Sequence, residues 1–334
     1  MAVLVCGGAG YIGSHGTAAL LEQGEEVIVL DNLQTGHAGA VLEGAVFYQG
    51  DLRDGNVLDR IFQNHSVDAV MHFAADSLVG VSMEKPLDYY NNNVYGALCL
   101  LQKMQEYGVE QLVFSSTAAV YGEPEHVPIT EEMATAPGNP YGETKLAIEK
   151  MMHWTAEAHD LRYVVLRYFN VAGAHQTKDI GEDHQPETHL IPIVLQAAQG
   201  KRDSIKIFGE DYPTEDGTCV RDYIHVQDLI QAHTKALDYL RGGGTPDYFN
   251  LGNGSGFSVK QVIDTAEMVT GRSIPKEKAP RRAGDPAVLV ASSKKAADVL
   301  GWQPQHHRLE DIIRDAWEWH ERYPGGYQEK GAQG

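Results

Sequence analysis

Two short constellations in this 334-residue sequence could carry chemistry. Tyr141 and Lys145 stand four apart, so a helix over that stretch puts a phenol and an ammonium on one face. A phenol with an ordinary pKa of about 10 is a poor base at neutral pH. An ammonium about 6 Å away, at an effective dielectric of about 20, favours the phenolate by roughly 2.8 kcal/mol, or about two pK units. Tyr-x-x-x-Lys by itself is common and usually describes an exposed helical pair. Here it follows Thr117 by 24 residues, and Ser115-Ser116-Thr117 closes a short apolar run, so a hydroxyl is available at a strand end.

The second constellation is Gly7, Gly10 and Gly13, which directly follow the apolar residues Val3 to Val5. A strand that turns through such glycines into a helix presents free backbone N–H groups to a pyrophosphate, with no Cβ in the way. Ser14 to Gln23 is the predicted helix, ended by Gly24. Asp31 falls 18 residues after Gly13, at the end of the next apolar run. Its carboxylate accepts from ribose hydroxyls and repels a 2′-phosphate, which favours NAD over NADP. Asp51-Leu52-Arg53-Asp54 reads either as a carboxylate and apolar wall for adenine or as a plain helix cap.

The elements that must position these groups are legible as unbroken apolar runs: Val27 to Leu30, Val46 to Tyr48, Val67 to Phe73, Leu112 to Phe114 and Tyr163 to Leu166. Each is separated from the next by a helix-length segment. Strands buried on both faces and alternating with helices describe a doubly wound parallel α/β sheet of Rossmann type. The alternation fails after Tyr168, and His175 to Glu187 is polar. The expected division is therefore residues 1–174 as the cofactor domain and 175–330 as a smaller mixed α/β substrate domain. Residues 222–251 again read strand, helix, strand, and return to the first domain. Tyr323 to Gly334 reads as a frayed end.

Lys plus Arg number 27 and Asp plus Glu 46, a net charge of −19. That leaves no broad field for nucleic acid or anionic membranes. No apolar run is long enough to span a bilayer or to form a signal peptide's core, so a soluble, cytoplasmic chain is expected. Cys6, Cys99 and Cys219 form no CxxC pair and suggest neither disulfides nor a zinc site. Lys276, Lys278, Arg281 and Arg282 against Glu277 make a local charge of +3, which reads as a diphosphate grip or as a solvated basic turn. His184, His189, His306 and His307 read as solvated, and no metal is expected. Trp302, Trp317 and Trp319 read as core or interface, and Cys6 as a small buried hydrophobe.

Taken together, the motifs VLVCGGAGYIGSH at Val3 to His15, MHFAA at Met71 to Ala75, VFSSTAAVYG at Val113 to Gly122, NPYGETK at Asn139 to Lys145, LRYFN at Leu166 to Asn170 and RRAGDPA at Arg281 to Ala287 resemble the extended short-chain dehydrogenase/reductases. More narrowly, the sequence is similar to the UDP-glucose 4-epimerase family over nearly its whole length. The resemblance implies a tightly held NAD and reversible epimerisation of UDP-glucose and UDP-galactose at C4 through a 4-keto sugar. Tyr141 would be the base, Lys145 would tune it, and Thr117 would bridge the phenol and the sugar hydroxyl. Cofactor contacts would come from Gly7, Gly10, Tyr11, Ile12, Gly13, Asp31, Asn32, Asp51, Leu52, Phe73, Ala74, Ala75, Asn92, Ser115 and Tyr168, with Tyr141 and Lys145. The UDP-sugar would meet Thr117, Tyr141, Asn170, His189, Leu190, Arg221, Arg282, Asp285 and Leu289. A homodimer is implied, pairing helices over Asn92 to Tyr107 and Tyr141 to His159, with Leu98, Leu101, Met104, Ile148, Met151 and Met152 as its apolar faces.

The sequence departs from the family in places. Ala75-Asp76-Ser77 stands where many members carry a lysine, and Thr188-His189 where others carry two asparagines, so His189 is the expected substitute. Leu289 falls where the family walls the sugar's C2 side; a leucine there, in place of a bulky tyrosine, extends the expected substrates to UDP-N-acetylglucosamine and its epimer. A 4,6-dehydratase of the same superfamily is the nearest alternative, but Ala118 and Ala119 stand where it would need an acid and a base. A non-catalytic NAD-binding regulator is the other, and it would have no need to keep Thr117, Tyr141 and Lys145 together.

Overall fold

The computed structural model describes residues 1–282 and 285–327. Its strands, in chain order, are β1 (Ala2–Cys6), β2 (Glu26–Asp31), β3 (Val46–Gln49), β4 (Val67–His72), β5 (Gln111–Ser115), β6 (Arg162–Tyr168), β7 (Asn170–Ala172), β8 (Ile205–Phe208), β9 (Val220–Arg221), β10 (Tyr223–His225), β11 (Asp247–Leu251), β12 (Phe257–Ser258), β13 (Lys276–Ala279) and β14 (Val288–Leu289). The helices are α1 (Tyr11–Glu22), α2 (Gly55–Asn64), α3 (Val79–Glu84), α4 (Pro86–Tyr89), α5 (Gly96–Tyr107), α6 (Pro140–Ala158), α7 (Leu190–Ala198), α8 (Val226–Arg241), α9 (Val259–Thr270), α10 (Lys294–Leu300) and α11 (Leu309–Arg322).

Seven strands form one sheet in the order β11-β6-β5-β4-β1-β2-β3, parallel at every ladder. The period of two along β1 explains why its residues had to be apolar without interruption. Ala2, Leu4 and Cys6 enter a core shared with Leu58, Leu100 and Met152 of α2, α5 and α6. Val3 and Val5 enter the opposite core, shared with Leu20 of α1, Leu237 of α8 and Trp302. With both faces covered by helices, no strand position could be polar at low cost. The order reverses between β1 and β4, and ligands of doubly wound sheets sit at such a switch, beyond the carboxyl ends of the strands.

The smaller part packs α7, α9 and α11 around Val194, Ile263, Ile312 and Trp317. It carries the parallel pair β8–β13 and the three-stranded ladder β12-β9-β14, which is antiparallel on one side and parallel on the other. β14 runs parallel to β9 with Leu289 opposite Arg221. β11 rejoins the large sheet beside β6, whereas β10 pairs with β7 in a separate two-stranded ladder.

Four sequence readings change here. α1 begins at Tyr11, three residues before the predicted start, so Gly13 lies inside its first turn and Gly10 caps it. Tyr327, read as frayed, is docked: its backbone N–H donates to Asp183 at 2.9 Å, its hydroxyl donates to the Gly181 carbonyl, and its ring stacks on His37. Residues 328–334 of that segment, and Ala283 and Gly284 of RRAGDPA, lie outside the described residues. Of the apolar faces assigned to a partner, Leu101, Met104, Ile148 and Met152 are buried in the chain's own core. Leu98 is exposed, and so is Trp154, which sequence reasoning passed over. His306 is also less solvated than expected, because its backbone N–H and ring both bond Asp228.

Candidate active site

Beyond the ends of β1, β2, β4, β5 and β6 lies a cleft of about 1020 Å³ that reaches from Asp31 at one end to Arg282 at the other. Its glycine-rich end has a shape the protein's own packing does not fully account for. A Cβ on Gly13 would stand 2.1 Å from the Gly7 carbonyl oxygen, so that glycine is required by the turn itself. A Cβ on Gly10 would meet nothing of the protein closer than 3.4 Å and would project into the cleft. The open space over the first N–H groups of α1 is a cradle for a diphosphate, and it fits a dinucleotide.

Asp31 is held for that role by backbone donors: Oδ2 accepts from Ala9 N at 2.9 Å and Oδ1 from Leu33 N at 2.8 Å. Burial raises its pKa, and these two N–H groups and His37 work against the rise. Each carboxylate oxygen keeps a lone pair for a ribose hydroxyl. Asn32 donates to Asp51 at 3.1 Å, and Asp51 is forked by Arg53 at 2.7 and 2.6 Å, which holds its carboxyl well below the usual range. In the Asp51 to Asp54 stretch, Asp54 caps α2, and Asp51 and Leu52 line the cleft.

Tyr11, Ile12, Phe73, Ala74, Ala75, Asn92 and Tyr168 line the same cavity. Asn92 lies in a π-helical turn, Tyr90–Tyr95. The next residue, Asn93, holds the loop after β4 by accepting from Asp76 N and donating to Asp76 O, and it also donates to Thr144 Oγ1 on α6 at 3.1 Å. That latch ties the cofactor side of the cleft to the helix bearing Tyr141.

Thr117, Tyr141 and Lys145 converge at the middle. Asn139 caps α6 by accepting from Gly142 N, so the helix starts immediately before Tyr141. Thr117 caps a 3₁₀ turn, Ala118–Tyr121, with Oγ1 accepting from Ala119 N at 3.1 Å. Lys145 Nζ donates to the Ser115 carbonyl at 2.8 Å and stands 4.8 Å from the centre of the Phe114 ring. One turn further along, Glu149 accepts from Ser116 Oγ at 2.5 Å and forms a buried ion pair with Arg167 of β6 at 2.5 Å.

The electrostatics differ from the sequence reading. Burial pushes the Tyr141 phenol up to about 12, with the Thr117 hydroxyl opposing, and the ammonium's pull does not offset it. Burial also brings Lys145 down to about 7 against the attraction of Glu149. With the phenol near 12 and the lysine near 7, the tyrosine is protonated and the lysine divided between amine and ammonium near neutrality. Two other assignments are corrected. Ser115 does not line the cleft: its hydroxyl is bonded to His233 Nε2 at 2.9 Å and its carbonyl anchors Lys145, so it positions that side chain from behind. Leu190, the first residue of α7, packs into the smaller core because its position faces Val194 and its neighbours rather than the cleft.

At the far end, Asn170, His189, Arg221, Arg282, Asp285 and Leu289 all line the cleft. Arg221 is paired with Asp285, and Arg282 lies 4.1 Å over the Phe208 ring. The basic cluster read from sequence is dispersed: Lys276 pairs with Glu267, Lys278 with Glu210 and Arg281 with Asp211, leaving Arg282 as its member in the cleft. Lys276 and Lys278 share a face of β13 and Arg281 lies beyond its end, and each is claimed by a carboxylate from another segment. Leu289 packs with Phe169 against Ala118 and Tyr121, close to the Thr117 turn. Sequence reasoning missed Glu182, His184 and Thr188 on the cleft wall. Glu182, His184, Glu187 and His189 bring one donor atom each within 4.8 Å of one another, so His184 and His189 are not free in solvent.

Lys145 has a folded pKa of about 7, below that of an unfolded lysine at about 10.4. The unfolded chain binds the extra proton, so this residue's penalty is complete below about pH 7 and fades as pH rises toward about 10. Lys145→Met, followed by thermal unfolding, should therefore gain most on the parent at about pH 6.5 and lose that advantage by about pH 10. A difference that does not change with pH would contradict the assigned burial effect.

The chain matches the family described as NAD dependent epimerase/dehydratase over residues 3–252. A UDP-glucose 4-epimerase from Halalkalibacterium halodurans is 62% identical over 327 residues, 98% of this chain and 98% of that one. The crystal structure of a UDP-glucose 4-epimerase superposes with a TM-score of 0.97 at 61% identity, covering 98% of this chain and 100% of the other. The enzyme from Bifidobacterium longum, in complex with NAD+ and UDP, gives a TM-score of 0.92 at 38% identity over 98% of this chain and 100% of its own. With the parallel sheet, the glycine cradle and the Thr117, Tyr141, Lys145 trio in one cleft, the chain belongs to the NAD-dependent epimerase/dehydratase family and, within it, to the UDP-glucose 4-epimerases.

Proposed function

We propose that this cleft holds NAD and a UDP-hexose together and interconverts UDP-glucose and UDP-galactose at C4. The observation that carries the reading is the convergence of Thr117, Tyr141 and Lys145 between a dinucleotide cradle and an arginine-lined end. Residues 1–174 and 222–251 supply the cofactor side, and the remaining described residues from 175 onward supply most of the UDP-sugar side. When bound, NAD supplies the acceptor and donor of a hydride, so the C4 hydrogen leaves with its electron pair and is later returned.

The chain's own residues handle the proton and the geometry. Tyr141 Oη takes the 4-hydroxyl proton as the C4 hydrogen departs, leaving a 4-keto sugar, and gives it back on the return. Thr117 Oγ1 bridges phenol and sugar. Burial that holds the phenol near 12 means phenolate forms only beside a cation, and Lys145, poised near 7, is the cation at hand. Arg221 and Arg282 take the diphosphate, for which Arg221 exchanges its pairing with Asp285. Rotation of the keto sugar between the two hydride transfers inverts C4, within a cleft of about 1020 Å³. Elimination of water has no acid and base to use here, because Ala118 and Ala119 follow Thr117.

Among the described residues no helix is long and apolar enough to cross a membrane. A cytoplasmic location is part of the proposal and suits three unpaired, buried cysteines. So is a homodimer through the outer faces of α5 and α6, where Leu98 and Trp154 are 38% and 68% exposed.

Tyr141→Phe removes the proton acceptor and little else. Its turnover of UDP-glucose should fall by about 10² to 10⁴, with NAD still bound at one per chain; near-parental turnover would remove Tyr141 from the mechanism. Leu289→Tyr should suppress epimerisation of UDP-N-acetylglucosamine relative to UDP-glucose by roughly 1 to 3 kcal/mol in kcat/KM, and an equal loss on both sugars would show that Leu289 is not the gate. Light scattering should give twice the mass of one chain, and a monomer at micromolar concentration would reject the pairing.

A further inference from the structure

One group of side chains on the cleft wall takes no part in the proton and hydride steps, and of its members only His189 is an expected UDP-sugar contact. The segment between β7 and α7 folds so that Glu182, His184, Glu187 and His189 face one another. The glutamate side chains are 5% and 3% exposed. His184 Nδ1 lies 3.3 Å from Glu182 Oε1 and 3.6 Å from Glu187 Oε2, and His189 Nδ1 lies 2.7 Å from Glu182 Oε1 and 3.2 Å from Glu187 Oε1. Despite these distances, both Nδ1 atoms are shut off from water without a hydrogen-bond partner. Among the described residues Glu182, buried though it is, accepts no hydrogen bond of good geometry from either ring.

Short separations without hydrogen-bond angles are compatible with donors that share a common centre. Four donors about 2.05 Å from a tetrahedral zinc ion stand roughly 3.3 Å apart. The contacts that use a single oxygen of each glutamate, Glu182 Oε1 with both imidazoles and Glu187 Oε1 with His189, are 2.7 to 3.3 Å, and one donor atom from each of the four residues lies within 4.8 Å of the others. Two imidazoles and two carboxylates suit zinc or a neighbouring transition metal, whereas calcium and magnesium ask for six or more ligands, nearly all oxygen. The surroundings also orient the donors: Glu187 Oε1 accepts from the backbone N–H of Thr188 and of His189, each at 2.8 Å. A second cluster, His225, His306 and Asp315, shows the contrast. There His225 Nδ1 accepts from Gln227 N, its Nε2 meets Asp315, and His306 Nδ1 meets Asp228, so every ring is already engaged in hydrogen bonds.

We propose that Glu182, His184, Glu187 and His189 form a tetrahedral divalent transition-metal site, filled by Zn²⁺, that closes the segment 182–189 on itself. The site has a consequence for the cleft, because Pro186, Thr188 and His189 line it and α7 starts at the next residue. Bound metal therefore fixes the backbone on which this end of the cleft is built. The competing arrangement, a proton on each imidazole facing a carboxylate, takes up no metal.

The test uses full-length protein purified without a polyhistidine tag, stripped with a chelator and titrated with Zn²⁺ alone. One zinc per chain is expected, with a rise in thermal midpoint that the chelator reverses. Co²⁺ in place of Zn²⁺ should give the intense visible absorption of a tetrahedral site. Glu182→Gln and, separately, His184→Gln should each lose the stoichiometric uptake and the cobalt spectrum, with folding checked by circular dichroism. His306→Gln, in the second cluster, should keep both. Absence of zinc uptake by the folded parent, or unchanged uptake in either folded ligand variant, overturns the proposal. Metal content and spectra do not depend on sugar turnover, so this result stands or falls separately from the reading of the cleft.

Discussion

Glu149 and Arg167 meet at 2.5 Å with side chains 2% and 7% exposed, and the reacting groups of the cleft are registered against that contact. It joins α6 to β6. Ser116 extends it to the end of β5, and Arg167 continues to the Tyr121 hydroxyl, which donates to Asn250 of β11. Tyr141 and Lys145 lie two turns and one turn before Glu149 on the same helical face, so fixing Glu149 fixes the height at which both enter the cleft. Removing one member of such a buried pair costs about 3 to 5 kcal/mol, whereas replacing both by apolar residues is often close to neutral. The pair is therefore better understood as a device for position than as a source of stability. Its second effect is electrostatic, because the Glu149 carboxylate is what keeps Lys145 from being driven further toward the amine by burial.

Charge organises the rest. The chain carries −19 overall, yet the reaction proposed for it handles two anionic diphosphates. The structure meets this by placing cations sparingly and locally: Lys145 at the middle, Arg221 and Arg282 at the far end, and the backbone N–H groups of α1 at the near end. Three carboxylates inside the cleft are committed before any ligand arrives. Asp31 is held by backbone donors, Asp51 by Arg53 and Asp285 by Arg221. Arg221 is held by the Val220 carbonyl and by an exchangeable carboxylate, so Nη2 can change partner when a phosphate presents a better one.

The parts of this arrangement that could be read from the sequence are those set by local rules. A strand running into glycines and then a helix, unbroken apolar strands, and a tyrosine and lysine one helical turn apart each depend on neighbours within a few residues. The parts that could not be read depend on which way a side chain faces once distant segments pack. The family resemblance implies a cofactor contact at Ser115, but His233, from α8, claims its hydroxyl. Lys276, Lys278 and Arg281 looked like a phosphate grip because they are close in sequence, and each found a carboxylate from another element. The estimate that Lys145 lowers the Tyr141 pKa counted one charge and not the burial of both groups. The same limit hid the grouping of Glu182, His184, Glu187 and His189, whose spacing in a polar loop carries no period that marks it.

The central claim is that C4 is inverted by moving its own hydrogen as a hydride while Tyr141 moves only the hydroxyl proton. The most direct measurement is to equilibrate UDP-glucose with the protein in D₂O and to determine deuterium at sugar C4 in both epimers by NMR and mass spectrometry. The account predicts that UDP-galactose forms with no solvent deuterium on carbon in either sugar, because the hydrogen never becomes an exchangeable proton. Deuterium appearing at C4 in step with epimerisation would mean that the carbon is deprotonated instead, and would contradict the assignment of the whole cleft.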